Sequence, residues 1–181
     1  MTSGVRIPPV HEPSPEQSEL LSKTLLTEQG RPLNVFATLA HNPKLLKRFN
    51  ALGGFFLRHG QLAARERELV ILRVAARTGS EYEHAQHRVL GTRAGLSGDE
   101  IERTRGALRG WDGVDLALLK FVDEMIDSDG AAVLTWDTMA ARFEQDQLIE
   151  LVLLVGFYRM LAGFLLAVGV ELEDELRSAA D

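Results

Sequence analysis

The sequence contains no cysteine among its 181 residues. This absence excludes disulfides, thiolate metal ligands, cysteine nucleophiles and thiol redox pairs. Any chemistry must therefore rest on histidine, carboxylates, hydroxyls, arginine or a bound cofactor.

Basic residues are also fewer than acidic ones. The chain has 20 lysines and arginines against 26 aspartates and glutamates, a formal charge of −6 and a pI near 5.4. An acidic chain disfavours nucleic acid and anionic membranes as partners. We therefore expect a small-molecule substrate, no nucleic-acid partner and no membrane partner.

The first 14 residues carry three prolines but lack the apolar core of a signal peptide, which predicts a cytoplasmic protein. One stretch, residues 148–170, is long and apolar enough to span a membrane, but it contains Glu150 and Arg159. An arginine at the centre of a bilayer costs roughly 2.5–3.5 kcal/mol. We therefore expect a buried core helix here.

Strand-like alternation is nearly absent, and helical periodicity with capping signals recurs along the chain. The pattern predicts an all-α, single-domain helical bundle of about eight helices. Ser14-Pro15 should open a helix that ends near Gly30, and Ser97 should cap a helix at about 101–108. We expect an N-terminal arm and first helix over residues 1–30, a helical domain over 31–172 and an acidic tail over 173–181.

Polar residues on two consecutive predicted helices form the candidate site. Glu68 lies in an apolar run, where an unpaired carboxylate would be costly, so it should be exposed or have a partner. On the next helix, Glu83 and His87 are four residues apart and share a face. Because only a short turn at Gly79 separates the helices, these side chains should meet as an acid/base unit.

Several segments of the sequence resemble the carboxymuconolactone decarboxylase and alkyl hydroperoxidase D (AhpD) family. The segments are 65–75, 79–87, 94–97, 34–36, 41–43 and 156–160. The likeness spans roughly residues 32 to 170. It implies an AhpD-like all-helical fold and a homo-oligomer, either a dimer, a trimer or a hexamer.

The peroxidase branch of this family has a glutamate, a cysteine twelve residues later, a second cysteine three further on and a histidine four beyond that. Those spacings fall on Glu68, Ser80, Glu83 and His87, so both cysteines are replaced. Thiol peroxidase chemistry is therefore excluded. The resemblance instead implies a cofactor-independent acid/base enzyme, namely a decarboxylase, lyase or isomerase. Its catalytic residues would be His87, Glu68 and Glu83, and its substrate a small carboxylated or lactone compound.

Further residues are candidates for the substrate pocket. Arg159 would hold a substrate carboxylate, and Tyr158, Tyr82 and Trp136 would form the walls with Ser80. Two structural alternatives remain open. Arg159 could instead be a buried ion-pair partner of Glu68 or Glu83, and Ser80 with Glu83 also has the pattern of a helix capping box.

The function also has an alternative, namely a non-catalytic oligomeric protein that binds a small molecule in the same pocket. A metal site made by Glu68, Glu83 and His87 is disfavoured, since nearby arginines compete for the carboxylates, and we expect no metal and no cofactor. The last helix is apolar almost all round, which favours coverage by another subunit.

Overall fold

The computed structural model describes residues 4–177, and its secondary structure is helical apart from one isolated antiparallel bridge between Leu26 and Pro32. The all-α prediction is confirmed, with ten helices in the described part of the chain instead of about eight. The helices are α1 Pro15–Leu21, α2 Asn34–Leu39, α3 Pro43–Arg58, α4 Ala64–Thr78, α5 Glu81–Arg93, α6 Gly98–Arg103, α7 Gly113–Ser128, α8 Val133–Ala140, α9 Gln145–Val168 and α10 Asp174–Arg177.

Two helix boundaries differ from the sequence-based prediction. Helix α1 ends at Leu21, well before Gly30, and the Thr24 hydroxyl donates a hydrogen bond to the Leu21 carbonyl. Gly30 has a φ of 77° and belongs to a separate turn. Helix α6 begins directly after Ser97, whose capping box is complete, so the predicted start at 101 was too late.

The described part of the chain divides into two compact units, and the first combines residues up to Arg58 with those from Phe164 onward. Here α1 and α2 both pack against α3, and the buried side chains include Leu21, Val35, Leu46 and Phe56. Glu173, from the predicted acidic tail, is buried and accepts a hydrogen bond of 2.7 Å from the Asn34 backbone N–H at the start of α2. The tail residues that the structure describes thus include a helix cap.

The second unit comprises His59–Gly163. Its centre is α4, which packs against both α5 and α7 and is buried continuously from Glu68 to Ala75. A helix covered on several sides needs apolar residues around most of its circumference, as α4 has from Leu69 to Ala76 apart from Arg73. One cluster of its core contains Leu69, Leu72, Leu96, Ile101, Trp111 and Leu119. The predicted domain boundaries at residues 30 and 172 stay a prediction.

Helix α9 is long and apolar enough to cross a membrane by length and composition, and 44% of its most apolar window is buried within the protein. The core helix of a soluble protein meets the same criteria. Its inward residues Leu151, Leu154 and Val155 are almost fully buried. The cytoplasmic location stays a prediction.

Candidate active site

The turn between α4 and α5 sets the geometry of the candidate site. Gly79 has a φ of 70°, the left-handed conformation in which a side chain is costly, and it ends α4. The next residue, Ser80, donates its backbone N–H to the Ala75 carbonyl at 2.9 Å. This tight connection brings α5 back against α4.

Glu68 and His87 meet across the two helices. The distance between His87 Nδ1 and Glu68 Oε2 is 2.7 Å, and the two residues are 7% and 0% exposed respectively. Since the carboxylate accepts, Nδ1 must carry the proton, and in the neutral imidazole Nε2 is then the basic nitrogen. Among the described residues no hydrogen bond to Nε2 is found, so Nε2 is the ring atom that a proton-transfer reaction would use.

Arg67 is the second partner of Glu68. Its Nε donates to Glu68 Oε1 at 3.0 Å, so the two carboxylate oxygens have separate donors. Burial by itself raises the pKa of Glu68, but the charges and hydrogen bonds of His87 and Arg67 outweigh it and lower the pKa below the ordinary value of 4.5. Glu68 is therefore ionised at neutral pH, as the orienting partner of an imidazole must be.

Tyr158 from α9 covers the imidazole. Its ring lies edge-on to that of His87, with 4.9 Å between the ring centroids. Burial, reinforced by the charge of the Glu68 carboxylate, raises the pKa of Tyr158 well above 10, so it stays a neutral phenol. Tyr158 therefore lies against His87, and its role as a pocket wall stays a prediction.

The alternative of a capping box formed by Ser80 and Glu83 is wrong. Ser80 does precede α5, but its side chain makes no capping hydrogen bond. In a capping box the N3 carboxylate accepts from the N-cap backbone N–H. Here the Ser80 backbone N–H donates its hydrogen bond to the Ala75 carbonyl instead. The Glu83 carboxyl group therefore lacks the backbone donor that a capping box requires.

Ser80 and Glu83 are consequently buried without partners. They are 1% and 2% exposed, and none of the described residues hydrogen-bonds to Ser80 Oγ or to either carboxyl oxygen of Glu83. A buried polar group without a partner costs about 1–3 kcal/mol. Burial also raises the pKa of Glu83 well above 4.5, which favours the protonated, neutral form of its carboxyl group. The pKa values of the two carboxyl groups of the site are thus shifted in opposite directions.

Two predicted pocket residues, Arg159 and Trp136, are exposed. Arg159 is exposed and pairs with Asp129, the left-handed residue that ends α7, so the alternative of a buried ion pair with Glu68 or Glu83 is wrong. Arg67 makes that contact instead. Trp136 is 41% exposed on α8, whereas Tyr82 is buried on α5 directly before Glu83.

Arg67 is the site residue that the sequence analysis missed. Adjacent helical residues do not face each other, so the spacing of Arg67 and Glu68 gives no reason to pair them. The contact exists because the long arginine side chain reaches back over the buried carboxylate with only 15% of its surface exposed.

His84 lies on another side of α5 and has structural partners. Arg105 Nη2 donates to its Nδ1 at 2.9 Å, while Thr104 Oγ1 is 3.5 Å from Nε2. Burial and the nearby Arg105 charge lower the pKa of His84 to about 4, which keeps it neutral. Among the described residues no group of three or more histidines and carboxylates is placed to hold a metal ion.

Residues 43–124 match the model of the carboxymuconolactone decarboxylase family. Over this segment, somewhat less than half of its length, the chain resembles that family. The matched segment contains Glu68, Ser80, Glu83 and His87 and excludes Tyr158. A search of curated proteins found no matching relative.

Solved structures share the fold over nearly the whole chain. An uncharacterized peroxidase-related protein from Silicibacter sp. TM1040 has a TM-score of 0.81 at 18% identity and covers 97% of each chain. A peroxidase-related protein from Ralstonia eutropha JMP134, described as an alkylhydroperoxidase AhpD core, has a TM-score of 0.74 at 18% identity and covers 94% of each chain. These matches confirm the AhpD-like fold.

A debrominase is also among the similar structures. The cysteine-to-alanine variant of the debrominase Bmp8, in complex with 2,3,4-tribromopyrrole, has a TM-score of 0.81 at 16% identity and covers 100% of this chain and 98% of that one. At such identities the likeness shows the fold alone. The fold therefore supports at least one enzymatic activity in another protein.

Proposed function

We propose that this protein is an acid/base enzyme in which His87 transfers a proton to or from a small organic substrate. The observation that carries the proposal is the 2.7 Å contact between His87 Nδ1 and the ionised Glu68, which leaves Nε2 as the proton acceptor. Glu68 fixes the tautomer and stabilises the imidazolium that forms. A positioned general base of this kind contributes about 10²–10⁴ to the rate.

The reaction class follows from the available groups. A base, a protonated carboxylic acid and a phenol can support decarboxylation, lyase or isomerisation chemistry at a carbon next to a carbonyl. Such reactions need no thiol, which the chain lacks. The fold is similar to that of a debrominase, and residues 43–124 match the carboxymuconolactone decarboxylase family model. Both similarities support an enzyme over a purely structural protein.

A turnover assay tests this function. The purified protein is incubated with a panel of lactones, carboxylated lactones and β-keto acids, and ultraviolet absorbance and carbon dioxide release are followed. The matched pair of variants is His87→Ala and His59→Ala, since His59 is an exposed histidine outside the cluster. We expect turnover in the wild type and in His59→Ala and its loss in His87→Ala.

Two outcomes would count against the proposal. Full activity in His87→Ala would remove the base from the mechanism. Absence of turnover across the panel, combined with saturable binding of a panel compound, would favour the alternative of a non-catalytic small-molecule-binding protein.

A further inference from the structure

The first turn of α5 presents two buried polar side chains that the proton-transfer pair does not use. Ser80 Oγ and both oxygens of Glu83 make no hydrogen bond with any described residue. Ser80, Glu83 and His87 follow one another at spacings of three and four residues, so they occupy one stripe of the helix. These groups therefore adjoin the proposed base.

Both side chains can donate a hydrogen bond, because burial favours the protonated form of Glu83 and a serine hydroxyl is always protonated. A hydroxyl always has a proton to donate, and the buried Glu83 carboxyl group retains its own. A carboxylic acid held neutral by burial can donate to an oxygen that becomes negative during a reaction. The N-terminus of a helix also favours negative charge. The charges nearby, Glu68 and Arg67, already neutralise each other.

We propose that the Glu83 carboxylic acid and the Ser80 hydroxyl together bind the carbonyl oxygen of the substrate and stabilise it as an enolate. This inference rests on the proposed function, which supplies His87 as the base. It defines the substrate class as a small carbonyl compound with an acidic C–H bond beside the carbonyl. A substrate carboxylate is then not required, in agreement with the position of Arg159 away from the cluster.

The steps balance without a further reactant. His87 Nε2 takes the proton from the carbon beside the carbonyl, and the electrons of that C–H bond form a carbon–carbon double bond. The carbonyl π electrons move to oxygen, which accepts hydrogen bonds from Glu83 and Ser80. The imidazolium, paired with Glu68, then returns the proton to the same carbon or to a conjugated one, which gives exchange or isomerisation.

An enolate mimic tests the oxygen-binding groups without requiring turnover. The probe is p-nitrophenol, whose absorbance reports binding and the protonation state of its oxygen. Glu83→Leu removes the donor and should weaken binding roughly 10- to 100-fold, as expected for a lost hydrogen bond to a charged group. Glu83→Gln keeps an N–H donor and should retain most of the affinity. Ser80→Ala should weaken binding less than Glu83→Leu.

The control variant is Glu81→Gln, on the same helix, because Glu81 is exposed and pairs with Arg105 outside the site. It should bind p-nitrophenol as the wild type does. Failure of the wild type to bind the probe would overturn the proposal, as would equal affinity in Glu83→Leu. Circular dichroism of each variant establishes that the fold is retained.

Infrared spectroscopy of the ligand-free protein provides the second readout. At neutral pH the wild type should show the C=O stretch of a protonated carboxylic acid, and Glu83→Gln should lose it. Absence of that band in the wild type would overturn the proposal. Neither experiment depends on proton abstraction. Probe binding without any turnover would therefore support the oxygen-binding site and refute the proposed proton-transfer reaction.

Discussion

Replacement of Glu83 by glutamine should reduce the loss of folding stability that occurs as the pH rises. In the wild type, the folded state holds the Glu83 proton because burial raises its pKa, while the unfolded chain releases it near the ordinary value of 4.5. Above that value the unfolded state binds fewer protons, so the stability falls as the pH rises. The fall continues until the pH reaches the raised pKa of the folded state.

The magnitude follows from one proton. A difference of one bound proton changes the free energy of unfolding by about 1.4 kcal/mol for each pH unit. Between pH 5 and pH 7 the free energy of unfolding of the wild type should therefore fall by up to about 2.7 kcal/mol more than that of Glu83→Gln. All other titrating groups are common to both proteins and cancel in the difference.

Urea unfolding at several pH values measures this difference. Glu81→Gln is the matched control, because Arg105 lowers the pKa of Glu81 and leaves it ionised in both states above pH 5. That variant should show the same pH slope as the wild type. A difference between wild type and Glu83→Gln that stays constant from pH 5 to pH 7 would refute the assignment of a protonated Glu83.

Glu68→Ala should destabilise the fold by about 3–5 kcal/mol, measured by urea unfolding, because it leaves the buried contacts of His87 and Arg67 without their carboxylate. Gly79→Ala should lower the stability by about 1–2 kcal/mol, seen as a lower melting temperature, since Gly79 is left-handed. Turnover should fall in Arg67→Ala and survive in Arg159→Ala, because only Arg67 contacts the site; equal losses would contradict this distinction. Size-exclusion chromatography with light scattering should show a homo-oligomer that Leu153→Glu disrupts, as Leu153 belongs to an exposed apolar face of α9; an unchanged size would exclude that face as the interface.

The sequence predicted the all-helical fold because helix periodicity and caps are local signals. The boxes at Ser14 and Ser97 are present as expected. The contact between Glu68 and His87 was predictable too, since a short turn forces two consecutive helices together. Each of these inferences depended on residues close together in the chain.

The errors arose where several interactions compete for one group. At Ser80 the local pattern of a capping box is intact, but the end of α4 has already used the backbone N–H. Arg159 lies in the middle of an apolar helix, which suggested a buried charge. Its position on the helix instead places it at the surface, where it pairs with Asp129. Neither outcome follows from spacing along the sequence, because each depends on which partner is nearest in space.

The most direct test of the central claim follows the proton itself. Nuclear magnetic resonance in D₂O would measure solvent deuterium entering a panel substrate at the carbon beside its carbonyl, for the wild type, His87→Ala and His59→Ala. We predict incorporation by the wild type and His59→Ala, with a loss of about 100-fold or more in His87→Ala. Incorporation that persists in His87→Ala, or is absent from the wild type, would contradict the assignment of His87 as the proton-transferring base.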